Sequence, residues 1–136
     1  MSYYLHFRKG GKDIVSYCRC TRLYQCLHDL APWEKWERVS IKDLELGKDI
    51  CHKELKSLNE DLYKYEKILA GKLTYEDRSS VVDAVIETEN DIDDFQKVLA
   101  QIDMLIDICN QKQIIEPEEE GGDWQEEESP MEWGIF

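Results

Sequence analysis

Long apolar runs are absent from this chain. None approaches the roughly 20 residues that a membrane-spanning helix needs. The amino terminus, Met1-Ser2-Tyr3-Tyr4, lacks the basic start and apolar stretch of a secretory signal. These two absences predict a soluble, cytoplasmic protein with no membrane partner. Basic charge is scarce too: 17 Lys and Arg face 30 Asp and Glu, a net charge of −13. A basic footprint for nucleic acid is missing, so direct nucleic-acid binding is not expected. The five cysteines form no evenly spaced framework, and reduced thiols are the expectation. Gly10-Gly11 lacks the glycine spacing of a phosphate loop, and the acids from Glu87 to Asp94 lack the glycine of a calcium loop. His6, His28 and His52 are isolated, with no sequence-level partner that would mark a general base. The expectation is a non-enzymatic protein without a cofactor.

The strongest feature present is a mirrored pattern. Ile41, Leu44, Lys48, Cys51, Leu55, Leu58, Leu62, Tyr65 and Leu69 are separated by alternating steps of three and four. Val81, Val85, Thr88, Ile92, Phe95, Leu99, Ile102, Ile106 and Cys109 repeat the pattern in reverse about Tyr75. Such spacing predicts two helices folded back along one seam. Ser40 and Asp43 are placed to form a capping box for the first helix, and Thr74 and Asp77 for the second. Gly71 is placed for a left-handed cap, and Gly47 is a weak point that costs about 1 kcal/mol against Ala. The short connection makes the helices antiparallel neighbours.

Before the hairpin, residues 3–8 and 13–19 alternate in polarity around Gly10-Gly11, which predicts a β-hairpin. Thr21 can cap a short helix carrying Leu23, Cys26, Leu27 and Leu30, which Pro32 stops. Trp33 to Val39 reads as a third short strand or an extended linker. The expected fold is therefore α+β, with three parts. Residues 1–40 form a β-β-α unit on the base of the long helical hairpin, residues 41–113, which turns near 71–75. Residues 114–136 form a flexible acidic tail. Leu46, Ile50, Val98, Leu105 and Ile108 lie off the seam at the hairpin base, where the first unit is expected to cover them. Tyr63, Ile68, Val82 and Ile86 are off-seam near the turn. They are candidates for a subunit contact that would pair two hairpins into a homodimer.

Cys18, Cys20, Cys26 and His28 are zinc-type ligands within a short stretch. Their spacing is not that of a usual knuckle, and Cys26 and His28 fall about 200° apart on a helix. Core positions on a strand and a helix account for these cysteines equally well.

Residues 116–136 hold nine acids and no Lys or Arg, leaving a net charge of −4 on residues 1–115. Trp124, Met131, Trp133, Ile135 and Phe136 sit within that acidic stretch and are candidate partner-binding anchors. Glu132, Ile135 and Phe136 resemble the acidic C-terminal tips of bacterial single-stranded-DNA-binding proteins. Gly134 precedes Ile135, and the usual proline before the terminal Phe is absent. The resemblance implies only a binding mode, in which acids and a terminal aromatic enter a basic, apolar pocket on another protein. The leading expectation is an interaction or scaffold protein of the small kind that phages and mobile elements encode. The alternatives are an acidic nucleic-acid mimic or inhibitor and a small zinc-binding protein.

Overall fold

The computed structural model describes residues 3–115, 117, 119–123 and 125–136, with backbone alone for 112–115 and 125–128. Strand β1 (Tyr4–Lys9) and strand β2 (Lys12–Cys18) form the expected hairpin. Gly10 and Gly11 both have positive φ, 60° and 77°, which a side chain would resist. Helix α1 (Arg22–Leu27) starts at Thr21, whose hydroxyl oxygen accepts from the Tyr24 N–H. Strand β3 follows as only two residues, Glu37–Arg38.

Helix α2 (Ile41–Leu69) and helix α3 (Tyr75–Asn110) form the long hairpin. At 1.5 Å per residue, α3 is about 54 Å long. Thr74 caps α3 by accepting from the Asp77 N–H. The hydroxyl of Ser40 makes no such bond at the start of α2, where the first N–H groups turn to the Ser40 carbonyl instead. Gly71 is not left-handed either, since positive φ among the glycines occurs at Gly10, Gly11 and Gly121. Arg78 reaches back across the turn and donates to the carbonyls of Leu69 and Gly71. A cationic side chain thus does the work expected of a glycine cap.

Strands β4 (Lys112–Ile115) and β5 (Gln125–Glu128) pair with each other as a separate two-stranded sheet. Strand β6 (Met131–Ile135) then enters the first sheet, giving the order β2-β1-β6-β3 with every neighbour antiparallel. This corrects the expectation of a flexible tail for residues 131–135. Met131, Trp133 and Ile135 alternate with Glu132 and Gly134 at strand period, so one side of the segment is apolar. The acids upstream obscure that short alternation. The correction also moves the domain boundary: β3 and β6 are neighbours, with Arg38 opposite Glu132. Residues 41–128 are therefore an insertion between two adjacent strands of the N-terminal unit.

The core sits where the sheet, α1 and the base of the hairpin meet. Leu5, Phe7 and Tyr17 face Leu23 and Leu27 of α1, with Leu44, Cys51, Phe95, Val98, Ile102 and Leu105 of the long helices in the same cluster. Met131, Trp133 and Ile135 complete it, all 1% exposed or less. Among the expected base residues, Val98 and Leu105 are covered, whereas Leu46 stays exposed. Gly47 explains itself here: a Cβ at that position would lie 2.5 Å from the Leu27 Cδ2. The missing side chain lets α1 dock on α2.

Candidate functional site

Two regions present unusual surface, the sheet end (the head, residues 3–40 and 129–136) and the far half of the helical hairpin (the arm). Residues 1–40 and 129–136 hold seven Lys and Arg against five Asp and Glu, a net charge of +2. Residues 41–128 therefore carry −15 of the total −13. Along its whole length α3 has ten acids against two bases, whereas α2 has seven against six.

The proposed tail anchors divide. Met131, Trp133 and Ile135 are core residues and are unavailable to a partner in the folded chain. Trp124 lies outside the described residues. Among the described anchors Phe136 remains partly exposed, on the outer face of the sheet. There it stands 5.0 Å from the Trp36 ring and 6.1 Å from the His6 ring. Arg8 covers Trp36 at 4.0 Å from the ring centroid and donates from Nε to the Glu132 carboxylate at 3.1 Å. The His6 Nδ1 lies 2.7 Å from the Ser16 Oγ. Gly134 is what brings these groups together, because a Cβ there would lie 2.3 Å from the Lys35 carbonyl oxygen and 2.5 Å from Phe136. The likeness to an acidic tip therefore ends at the residue types: Glu132 is paired and Ile135 is buried.

In the arm, Tyr63, Ile68, Val82 and Ile86 are all exposed. They do not form one patch. Residues advance about 100° per step around a helix. Tyr63 follows seam residue Leu62 and Ile68 precedes seam residue Leu69, so the two flank opposite edges of α2. Val82 and Ile86 fall on the Tyr63 side in an antiparallel pair. The Ile68 side is the one that α1 covers nearer the base, through Leu27 at Gly47 and an Arg22–Asp91 ion pair of 3.0 Å. From residue 52 to 87 no side chain is buried, although the seam there is as apolar as at the base. Thr88 is the first buried residue beyond it, with its hydroxyl donating to the Ala84 carbonyl at 2.7 Å. Lys48, a polar seam position, reaches aside to Asp103 at 2.8 Å. That hydrogen bond raises the Lys48 pKa.

The four zinc-type residues are not assembled. Cys18 and Cys20 are joined in a disulfide, against the expectation of reduced thiols. Cys26 points into the core, with its sulfur 3.6 Å from that of Cys51. The hydrogen bond between the two thiols lowers the Cys26 pKa and raises that of Cys51. His28 is held at both ring nitrogens, with Nδ1 2.7 Å from the Gln25 carbonyl oxygen and Nε2 3.1 Å from Asp29. Among the described residues no group of three or more His, Cys, Asp or Glu side chains is placed to hold a metal. No described helix is long and apolar enough to cross a membrane.

Two cavities stand out among the described residues. One, of about 410 Å³, lies at the joint of head and arm, between the β3–α2 connection, the end of α3 and Pro130. The other, of about 380 Å³, opens on the head and is lined by Tyr3, Arg19, Tyr24, Gln25, His28 and Trp33. Sequence reading missed this second site. Its residues are scattered over a strand edge, a turn, a short helix and a linker, and only the exposed Trp33 could have signalled it.

No protein-family model, curated protein or solved structure matches the chain.

Proposed function

We propose that this is a non-enzymatic interaction protein whose arm presents a binding surface and whose head holds the arm rigidly at its base. One observation supports this most: residues 52–87 include no buried side chain despite an apolar seam. Two helices alone cannot cover such a stripe, and a third or fourth helix would. The surface to be covered carries Tyr63, Val82 and Ile86 beside an acidic α3. It fits a partner that is apolar at its centre and basic at its rim. A second copy of the chain can serve, since the nearly neutral α2 of one copy would face the acidic α3 of the other.

The test is a triple substitution, Tyr63→Glu, Val82→Glu and Ile86→Glu, in the full chain. Mass in solution and capture of partners from the native extract are compared with wild type. The expected result is loss of dimer or of captured partner, with the near-ultraviolet signal of the head unchanged. Equal mass and equal capture by both chains would overturn the reading.

A second reading, an acidic mimic of nucleic acid, draws support from the charge of α3 alone. It requires binding that weakens steeply with salt and competes with a nucleic acid. Partner binding that is insensitive to salt would remove it.

A further inference from the structure

The head cavity combines features that the arm reading does not use. Three aromatic side chains, Tyr3, Tyr24 and Trp33, form its walls. Trp33 is 48% exposed, and its ring meets that of Tyr3 edge-on at 5.3 Å between centroids. The backbone beside it is fixed: the Glu34 N–H donates to the Ile135 carbonyl at 2.8 Å, and the Ile135 N–H donates to the Pro32 carbonyl at 2.8 Å. Glu34 accepts from the Tyr3 hydroxyl at 3.3 Å and sits in the left-handed region at φ 58°, where residues other than glycine are strained. Tyr24 is buried and lies parallel to the His28 imidazole, 6.2 Å between centroids. Rigid aromatic walls are thus already in place.

The lining itself holds no carboxylate, and the two nearby ones, Glu34 and Asp29, are engaged by the Tyr3 hydroxyl and the His28 ring. Arg19 has no ion-pair partner among the described residues. In a chain of net charge −13, a free guanidinium beside an aromatic cavity with no carboxylate in its lining is a marked local reversal. Arginine recognises phosphate through two parallel N–H bonds. The Gln25 Oε1 accepts from the Arg22 guanidinium at 3.1 Å, which orients the amide NH2 as a donor for a base edge. Aromatic rings bind a base through its π-face without regard to sequence. The volume, about 380 Å³, falls within the usual range for small-molecule sites.

We infer that this cavity binds a nucleotide unit, with the base against Trp33 and Tyr3 and the phosphate on Arg19. The same chemistry is offered by a free mononucleotide and by the end nucleotide of a single strand. A methylated ammonium ligand, which also seeks aromatic walls, is disfavoured by the Arg19 guanidinium.

The experiment is calorimetric titration of the full chain with nucleoside 5′-monophosphates, adenosine, short single-stranded oligonucleotides and choline. One site per chain is expected for at least one mononucleotide, with adenosine at least about tenfold weaker for want of the phosphate contact. Arg19→Ala and Trp33→Ala should each weaken binding about tenfold. Arg19 is exposed, so its variant remains folded even if the Trp33 variant does not. An oligonucleotide that binds much more tightly than its mononucleotide identifies a strand end as the source, and equal affinities identify the free nucleotide. Absence of heat with every nucleotide and oligonucleotide overturns the inference. So does nucleotide affinity unchanged in the Arg19 variant, or a preference for choline.

Discussion

The base of the hairpin and its far half share one apolar pattern yet reach different degrees of burial. Near the base, Cys51, Phe95 and Ile102 are covered by α1 and the sheet. In the far half, Leu58, Leu62 and Val85 occupy equivalent seam positions and stay half-buried. Seam spacing therefore specifies which residues face the other helix, while a third layer decides how much water is excluded. Stability should be concentrated where the layers meet, and the arm should open locally at lower cost than the head.

The strongest way to break this contrast is to remove β6. Deleting residues 131–136 withdraws Met131, Trp133 and Ile135 from the core, and the near-ultraviolet circular dichroism of the head should collapse. Trp133→Ala alone should cost about 3–5 kcal/mol in urea unfolding. A deleted chain with an intact near-ultraviolet signal would return this segment to the status of a free tail.

A matched pair of truncations sharpens the comparison. Ile102→Ala, fully buried at the base, should cost about 2–5 kcal/mol, and Leu62→Ala, half-exposed in the arm, about 1–2 kcal/mol. Equal losses in denaturant titrations would mean that the arm is covered by a second copy under the conditions used. That outcome would be visible as a concentration-dependent midpoint.

Two glycines extend the contrast to backbone packing. Gly134→Ala drives a methyl into the Lys35 carbonyl and should destabilise by about 2–3 kcal/mol. Gly71→Ala meets its nearest neighbour, the Ile68 carbonyl oxygen, at an ordinary 3.4 Å. It should stay within about 0.5 kcal/mol of wild type. Thermal melts of the two variants separate these outcomes.

The smallest effect concerns alkaline pH. Burial raises the Tyr17 phenol above its usual value. The unfolded chain therefore loses that proton first, and stability falls as pH rises above about 10. Tyr17→Phe should flatten that decline in melts recorded from neutral to alkaline pH. An unchanged slope would show that the phenol does not contribute.

The long helices, the first hairpin and its Gly-Gly turn were legible because each carries a local period, with Thr74 capping α3 and Gly10-Gly11 making the turn, although the expected Ser40 and Gly71 caps are not formed. Strand β6 was not, because five residues with two polar interruptions carry little periodic signal, and their acidic surroundings suggested solvation. Its placement depends on Leu5 and Phe7, more than 120 residues earlier, across from Ile135 and Trp133. Gly47 was visible as a weak helix former, but its purpose depends on Leu27, a contact between elements that spacing alone cannot reveal. The same holds for the head cavity, whose aromatic walls become neighbours only once the sheet closes. Of the expected tail anchors among the described residues, Phe136 keeps an exposed face.

The position of β6 sets an order of events during synthesis. The arm is built from contacts between helices adjacent in sequence and can form as soon as both have emerged. The head must wait, since the free edge of β1 stays unpaired until residues 131–135 are made. Through that interval β1 is an open strand edge with Leu5 and Phe7 uncovered, a template for mispairing between nascent chains. The long acidic insertion, by mutual repulsion, would hold such chains apart until the last strand closes the sheet.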